Sequence, residues 1–126
     1  MEFKESRNIF LQIADWLCEQ ILQKKFAPGN RVPSVRELAE EMEVNRNTVM
    51  RTYSILQDQG ILDNKRGIGF FVADKAALKI HQRQKEEFLK QELPLLVHKV
   101  KLLKLSHDDL KPLLNAIKEI SNENQQ

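Results

Sequence analysis

The 126-residue sequence predicts a mainly α-helical fold carrying one small β-hairpin. Three observations lead there. Apolar residues recur at helical spacing in several stretches before residue 60, and turn signals separate them. Two short apolar runs, "ILDN" and "FFVA", flank the glycine-containing "KRGIG". Two more amphipathic stretches fill the chain beyond residue 75. The length fits one small domain with an appendage, divided here as 1–74 and 75–126.

Residues 8–25 form the first expected helix. Ile9, Phe10, Ile13, Leu17 and Ile21 share one apolar face, with Ala14 and Trp16 at its edges. Leu11, Cys18 and Leu22 fall on nearly the opposite side, which implies a second packing partner. Pro28-Gly29 then makes a turn, and Arg31-Val32-Pro33 is extended because the residue before a proline avoids the helical region. Ser34 and Glu37 are spaced as a capping box and open a second helix with Val35, Leu38, Ala39 and Met42 inward. That helix is short and ends near Glu43-Val44. Asn45 caps a third, whose Val49, Tyr53 and Leu56 point inward and which Gly60 stops. The hairpin follows.

Residues 75–103 are helical again, with Leu89, Leu93, Leu96, Val97, Val100 and Leu103 on one stripe. Pro94 should kink or restart this helix. Ser106 with Asp109 is a second capping box, expected to open a last helix carrying Leu110, Leu113, Leu114, Ile117 and Ile120 on one side. The polar tail "SNENQQ" is expected to fray. The order is that of a winged helix-turn-helix followed by a two-helix hairpin.

Composition narrows the classes of function. The net charge is only +2, too mild to mark a nucleic-acid binder, so that reading depends on where charges sit. A single cysteine, Cys18, permits no intrachain disulfide, and the charged start "MEFKESRN" has no signal-peptide core. No apolar run has membrane-spanning length. These features fit a cytoplasmic protein without a membrane partner. His81, His98 and His107 lack metal-site spacing, and no serine lies in a G-x-S-x-G context. The G-x-G of the hairpin lacks the third glycine and following helix of a nucleotide loop. Neither an enzyme nor a metal or cofactor is expected.

The segment "NRNTVMR" at 45–51 is the candidate site. With Asn45 in the cap and Val49 in the core, the third helix is left to display Asn47, Met50, Arg51 and Ser54, with Arg46 at the edge. A helix amino end attracts phosphates. Arginine can bond guanine, and asparagine adenine, through paired contacts, while Thr48 can hold a phosphate. Lys65, Arg66 and Gly67 at the hairpin tip offer a basic turn to a minor groove or to the backbone. Arg36 lies one turn into the second helix, where it either reaches DNA or pairs with Glu40 four residues on. The competing explanation throughout is a solvated helix face and a solubilising turn.

The strings "IFLQIADWLCEQI", "PGNRVPSVRELAEEMEVNRNTV", "LQDQGIL" and "RGIGFFV" resemble the GntR family of bacterial winged-helix transcription regulators over residues 8–73. The short C-terminal part resembles the YtrA-like subgroup, which lacks large effector-binding domains. The resemblance implies DNA contacts from the arginine of the P-S-x-R string (Arg36), from Arg46, Asn47 and Thr48, and from Arg66 and Gly67 at the wing; Ser34, in the same string, joins the DNA-binding candidates. Two positions depart from the family pattern. Met50 stands where many members have arginine, with Arg51 following, and Lys104 stands where relatives often have glycine.

Two appended helices rarely bury enough apolar surface alone to offset the entropy of ordering. Leu89, Leu93, Leu96, Val97, Val100, Leu113 and Ile117 are therefore expected to meet a second copy of the chain, helped by the second stripe of the first helix. The expected function is a homodimeric regulator, a repressor on a palindromic double-stranded DNA operator. No effector is identified. The alternative from another class is a winged-helix protein-interaction module that binds no DNA.

Overall fold

The computed structural model describes residues 1–4 and 6–124. Helices α1 (Ile9–Leu22), α2 (Val35–Met42) and α3 (Arg46–Asp58) precede strands β1 (Leu62–Lys65) and β2 (Gly69–Val72). Helix α4 (Ala76–Glu87), a π-helical turn (Phe88–Glu92), α5 (Leu93–Leu102) and α6 (Lys111–Asn124) complete the chain. It divides into two compact units, Met1–Lys85 and Glu86–Gln126.

The first unit is a winged helix-turn-helix. Its α2 begins where the capping box is read: the Ser34 hydroxyl accepts from the Glu37 N–H at 3.0 Å, and the Ser34 N–H donates to Glu37 Oε1 at 3.3 Å. The Asn45 side chain likewise accepts from the Asn47 N–H at 2.9 Å. The inward residues of α3 are fully buried, as expected: Val49, Tyr53 and Leu56 each show 0% exposure. The hairpin is antiparallel with Leu62 opposite Val72, which places both side chains in the core.

The extended segment before Pro33 joins this hairpin. Gly29 N–H donates to the Val72 carbonyl, Val32 N–H to Phe70, and Val72 N–H to Asn30. Arg31 and Phe71 thereby form an isolated antiparallel bridge. The Tyr53 hydroxyl donates to the Pro33 carbonyl at 2.6 Å, and its ring meets Phe70 edge-on with centroids 4.9 Å apart. Helix α3, the extended segment and the wing are thus tied at one side chain.

Four expectations change. The buried side of α1 is Ile13, Ala14, Leu17, Cys18 and Ile21, so Cys18 belongs to the main core, while Ile9 and Leu22 are exposed. The cause lies in α4: Ala76 and Ile80 enter the same apolar cluster, and Arg83 reaches Asp15 of α1 at 3.0 Å. The last helix begins at Lys111, later than its capping signal. Ser106 and Asp109 do exchange both capping bonds, but Leu110 and Lys111 donate to carbonyls three residues back, and Pro112 has no N–H with which to extend an α-ladder earlier. At the tail, α6 runs through Asn124 where fraying was expected, and Gln125 and Gln126 lie outside the described residues. Finally, Lys104 adopts φ 52°, the left-handed conformation in which glycine is common, so the turn after α5 forms with lysine in place.

Pro94 does restart its helix. In a continuous α-ladder its ring would press on the Lys90 carbonyl and leave that acceptor unbonded. The wider π turn at Phe88–Glu92 lies immediately ahead of it, and Pro94 occupies the first turn of α5, where no donor is needed. No residue of α5 or α6 is buried.

Candidate nucleic-acid interface

The amino end of α3 is held open by its own cap. Asn45 uses its side chain on the Asn47 N–H, and its carbonyl accepts from Thr48 and Val49. Arg46 and Asn47 remain exposed, as does Met50 at 45%. Thr48 is half-buried, and its carbonyl lies 3.2 Å from the Thr52 hydroxyl. That buried hydroxyl also reaches the Phe10 carbonyl at 2.7 Å and so seats α3 against α1.

Arg51 is exposed but occupied: its guanidinium carbon lies 3.9 Å from the centre of the Phe10 ring. Arg36 is occupied too. Its Nε donates to Glu40 Oε1 at 3.3 Å, the intrahelical pairing that the sequence permits. Both side chains are about two-thirds exposed or more, so screening and side-chain entropy make this pair easy to break. Ser34 is half-buried with its hydroxyl committed to the cap. Those capping bonds, first from the Ser34 side chain and then from its backbone, hold the Glu37 carboxyl below its ordinary range.

At the wing, Ile68 N–H donates to the Lys65 carbonyl and closes a turn around Arg66 and Gly67. Gly67 has φ 80°, which a turn of type II requires at its third position. Arg66 and Gly67 are exposed, and Lys65 places its ammonium 4.3 Å from the centre of the Phe71 ring. The ten candidate residues therefore sit on three features of the first unit: the amino ends of α2 and α3, and the wing turn. Sequence reasoning missed the two aromatic rests, Phe10 under Arg51 and Phe71 under Lys65. Each pairs residues distant along the chain or across a strand, with no local signal. It also passed over Arg31, placed there only within the extended segment before Pro33.

Among the described residues no group of three or more His, Cys, Asp or Glu side chains is placed to hold a metal ion. No helix among them is long and apolar enough to cross a membrane.

Comparison with known proteins agrees with this geometry. The profile described as "Bacterial regulatory proteins, gntR family" matches residues 10–72. The chain is 38% identical over 109 residues to the HTH-type transcriptional regulator YhcF of Bacillus subtilis, covering 86% of this chain and 88% of that one. It is 33% identical over 94 residues to the HTH-type transcriptional repressor YtrA of the same organism, covering 75% and 72%. Among solved structures, a GntR-family regulator from Bacteroides thetaiotaomicron superposes with TM-score 0.72 at 41% identity, over 90% of this chain and 99% of that one. The DNA-binding domain of AraR, crystallised with operator ORR3, gives TM-score 0.53 at 30% identity over 58% and 86%. These relatives are regulators of transcription and not enzymes. A winged helix-turn-helix with an exposed third-helix amino end and a basic wing, matched by this profile across half of its length, belongs to the GntR family of bacterial transcription regulators.

Proposed function

We propose that this chain is a homodimeric repressor that occupies a two-fold-symmetric operator. The first turns of α3 would enter the major groove, and the wing turn would lie on the minor groove. The observation carrying this reading is the state of the α3 amino end. Arg46 and Asn47 project from a helix terminus with partial positive charge, and among the described residues the Arg46 guanidinium has no hydrogen bond or ion pair. Met50 beside them supplies an apolar contact suited to a thymine methyl. The operator complex of AraR and the repressor role named for YtrA support the same direction.

A dimer is supported by the second unit. Leu89, Leu93, Leu96, Val97, Leu113 and Ile117 are between 36% and 49% exposed, an apolar stripe that water does not favour. A second copy related by a two-fold axis would cover it and set two recognition helices about one DNA turn (~34 Å) or a multiple apart.

The test is fluorescence anisotropy on DNA from the protein's own promoter. Replacing both Arg36 and Arg46 with alanine should weaken binding at least about tenfold, the loss expected for one good paired base contact plus one phosphate contact. Thermal unfolding should be unchanged, since both side chains are exposed. Equal affinity of the variant and the native chain would favour a protein-interaction module instead.

A further inference from the structure

Sorting the seven arginines by what they touch isolates one that the DNA-facing set omits. Arg7 and Arg83 both bind Asp15, Arg36 binds Glu40, and Arg51 rests on Phe10. Among the described residues, the guanidiniums of Arg31, Arg46 and Arg66 make no hydrogen bond or ion pair. Arg46 and Arg66 are already assigned to the major groove and the wing. Arg31 is exposed in the same way and comes from neither element.

The strand register explains where it goes. Arg31 stands opposite Phe71, and Gly69 lies two residues along from Phe71, on the same face of the hairpin. Lys65 stands opposite Gly69 and holds its ammonium over Phe71. The Arg31 side chain lies across Gly69: a Cβ there would come within 2.8 Å of its Nε and 3.5 Å of Cζ and Nη2. Gly69 also has φ 145°, a conformation that side chains rarely adopt. Two cations therefore share one wing face, and a bare glycine leaves room for one of them. Asp63, opposite Phe71, belongs to that face as well, and no ion pair joins it to either cation. On its other side Arg31 is near enough to α2 to contribute, after the Ser34 bonds, to holding the Glu37 carboxyl low.

We propose that Arg31, given clearance by Gly69, is a further DNA-backbone contact of this protein, gripping a phosphate from the face of the wing that carries Lys65. This inference rests on the DNA-binding reading above. Among the described residues this exposed guanidinium makes no hydrogen bond or ion pair, and Glu37 acts on it only at longer range, so beside a second cation it is open to a closer anion such as a phosphate. A phosphate contact carries no base preference, so its effect should be uniform across sequences.

The experiment measures binding of the full chain to a fluorescein-labelled random-sequence DNA duplex across a potassium chloride series, with thermal unfolding of each variant alongside. Each phosphate neutralised contributes about 0.9 to the slope of log affinity against log salt. Arg31→Ala should lower that slope by about 1 and weaken binding roughly threefold or more at low salt, with an unchanged melting temperature. Arg31→Lys, which keeps the charge, should retain the slope. If Arg31→Ala melts early, Arg31→Gln compared with Arg31→Lys isolates the charge. A native slope in the alanine or glutamine variant, while Arg46→Ala lowers it, would overturn the Arg31 contact and leave the DNA-binding reading intact. Absence of salt-dependent binding by the native chain would overturn both.

Discussion

Asp15 shows how much one side chain can hold in this chain. Its Oδ2 accepts from Arg7 Nε at 2.9 Å, and its Oδ1 from Arg83 Nη1 at 3.0 Å. Arg83 has only 6% of its side chain exposed, and its Nε has no hydrogen-bond partner. Removing the carboxylate would leave the buried Arg83 cation without the anion it faces, which costs more than the net worth of the pair. Asp15→Ala is therefore expected to destabilise the first unit by about 2 kcal/mol, somewhat less than a fully buried pair because Asp15 is 44% exposed. Urea unfolding followed by circular dichroism measures this. Nearby, burial pushes the Cys18 thiol up to about 11, with Arg83 opposing and Asp15 adding to the rise. The folded state thus keeps a proton that the unfolded chain releases near 9.0. Stability from this group is complete below that pH and is lost as pH climbs toward about 11. Tyr53 is shifted upward as well, chiefly by burial, and acts in the same direction. Melting temperatures measured from neutral to strongly alkaline pH should fall beyond pH 9.0, and Cys18→Ala should soften that fall. The buried thiol should also resist alkylation until the chain unfolds.

Several elements end the same way. After α1, α2, α3 and α5, one residue turns left-handed, and the next N–H bonds a carbonyl five residues back: Lys25 to Gln20, Val44 to Ala39, Ile61 to Leu56, Leu105 to Val100. Only after α3 is the left-handed residue a glycine, Gly60; the others are Lys24, Glu43 and Lys104. A side chain in that conformation crowds its own backbone, at a cost of about 1 kcal/mol. Glu43→Gly, in the turn between α2 and α3, should therefore stabilise the protein by about 0.5–1 kcal/mol, raising the melting temperature by a few degrees. Differential scanning calorimetry checks it, and a lower melting temperature would show that Glu43 contributes something its backbone does not explain. The same accommodation explains why Lys104 leaves the turn after α5 intact.

At the scale of the molecule, the two units differ in what they bury. The first has a closed core running from Ile13 to Ile80, and the second exposes its leucines. Under the dimer reading, Leu96→Asp would place a carboxylate within the covered stripe. An unpaired charge there should cost about 3 kcal/mol of association, roughly a hundredfold in the dissociation constant. Sedimentation equilibrium should find the native chain at twice its 14.7 kDa mass and the variant largely at that mass. Operator affinity should fall with it, because each half-site would bind alone. A variant that stays dimeric would place the association elsewhere.

Much of this was written locally along the chain. The Ser34–Glu37 box, the Asn45 cap, the Val49–Tyr53–Leu56 face, the hairpin about Gly67 and the restart at Pro94 each depend on residues within about one or two helical turns, so spacing alone determined them. The candidate site was legible for the same reason: its residues cluster at a cap and a turn, both of which are short-range signals. Other features needed the folded chain. Cys18 became core because Ala76 and Ile80 return to the same cluster, about sixty residues along the chain. Arg51 found Phe10, Arg83 found Asp15, and Arg31 found the wing across a bridge to Phe71. Periodicity tells which side of an element is apolar, but only packing chooses which distant element covers it, and which cations are left with nothing of their own to hold.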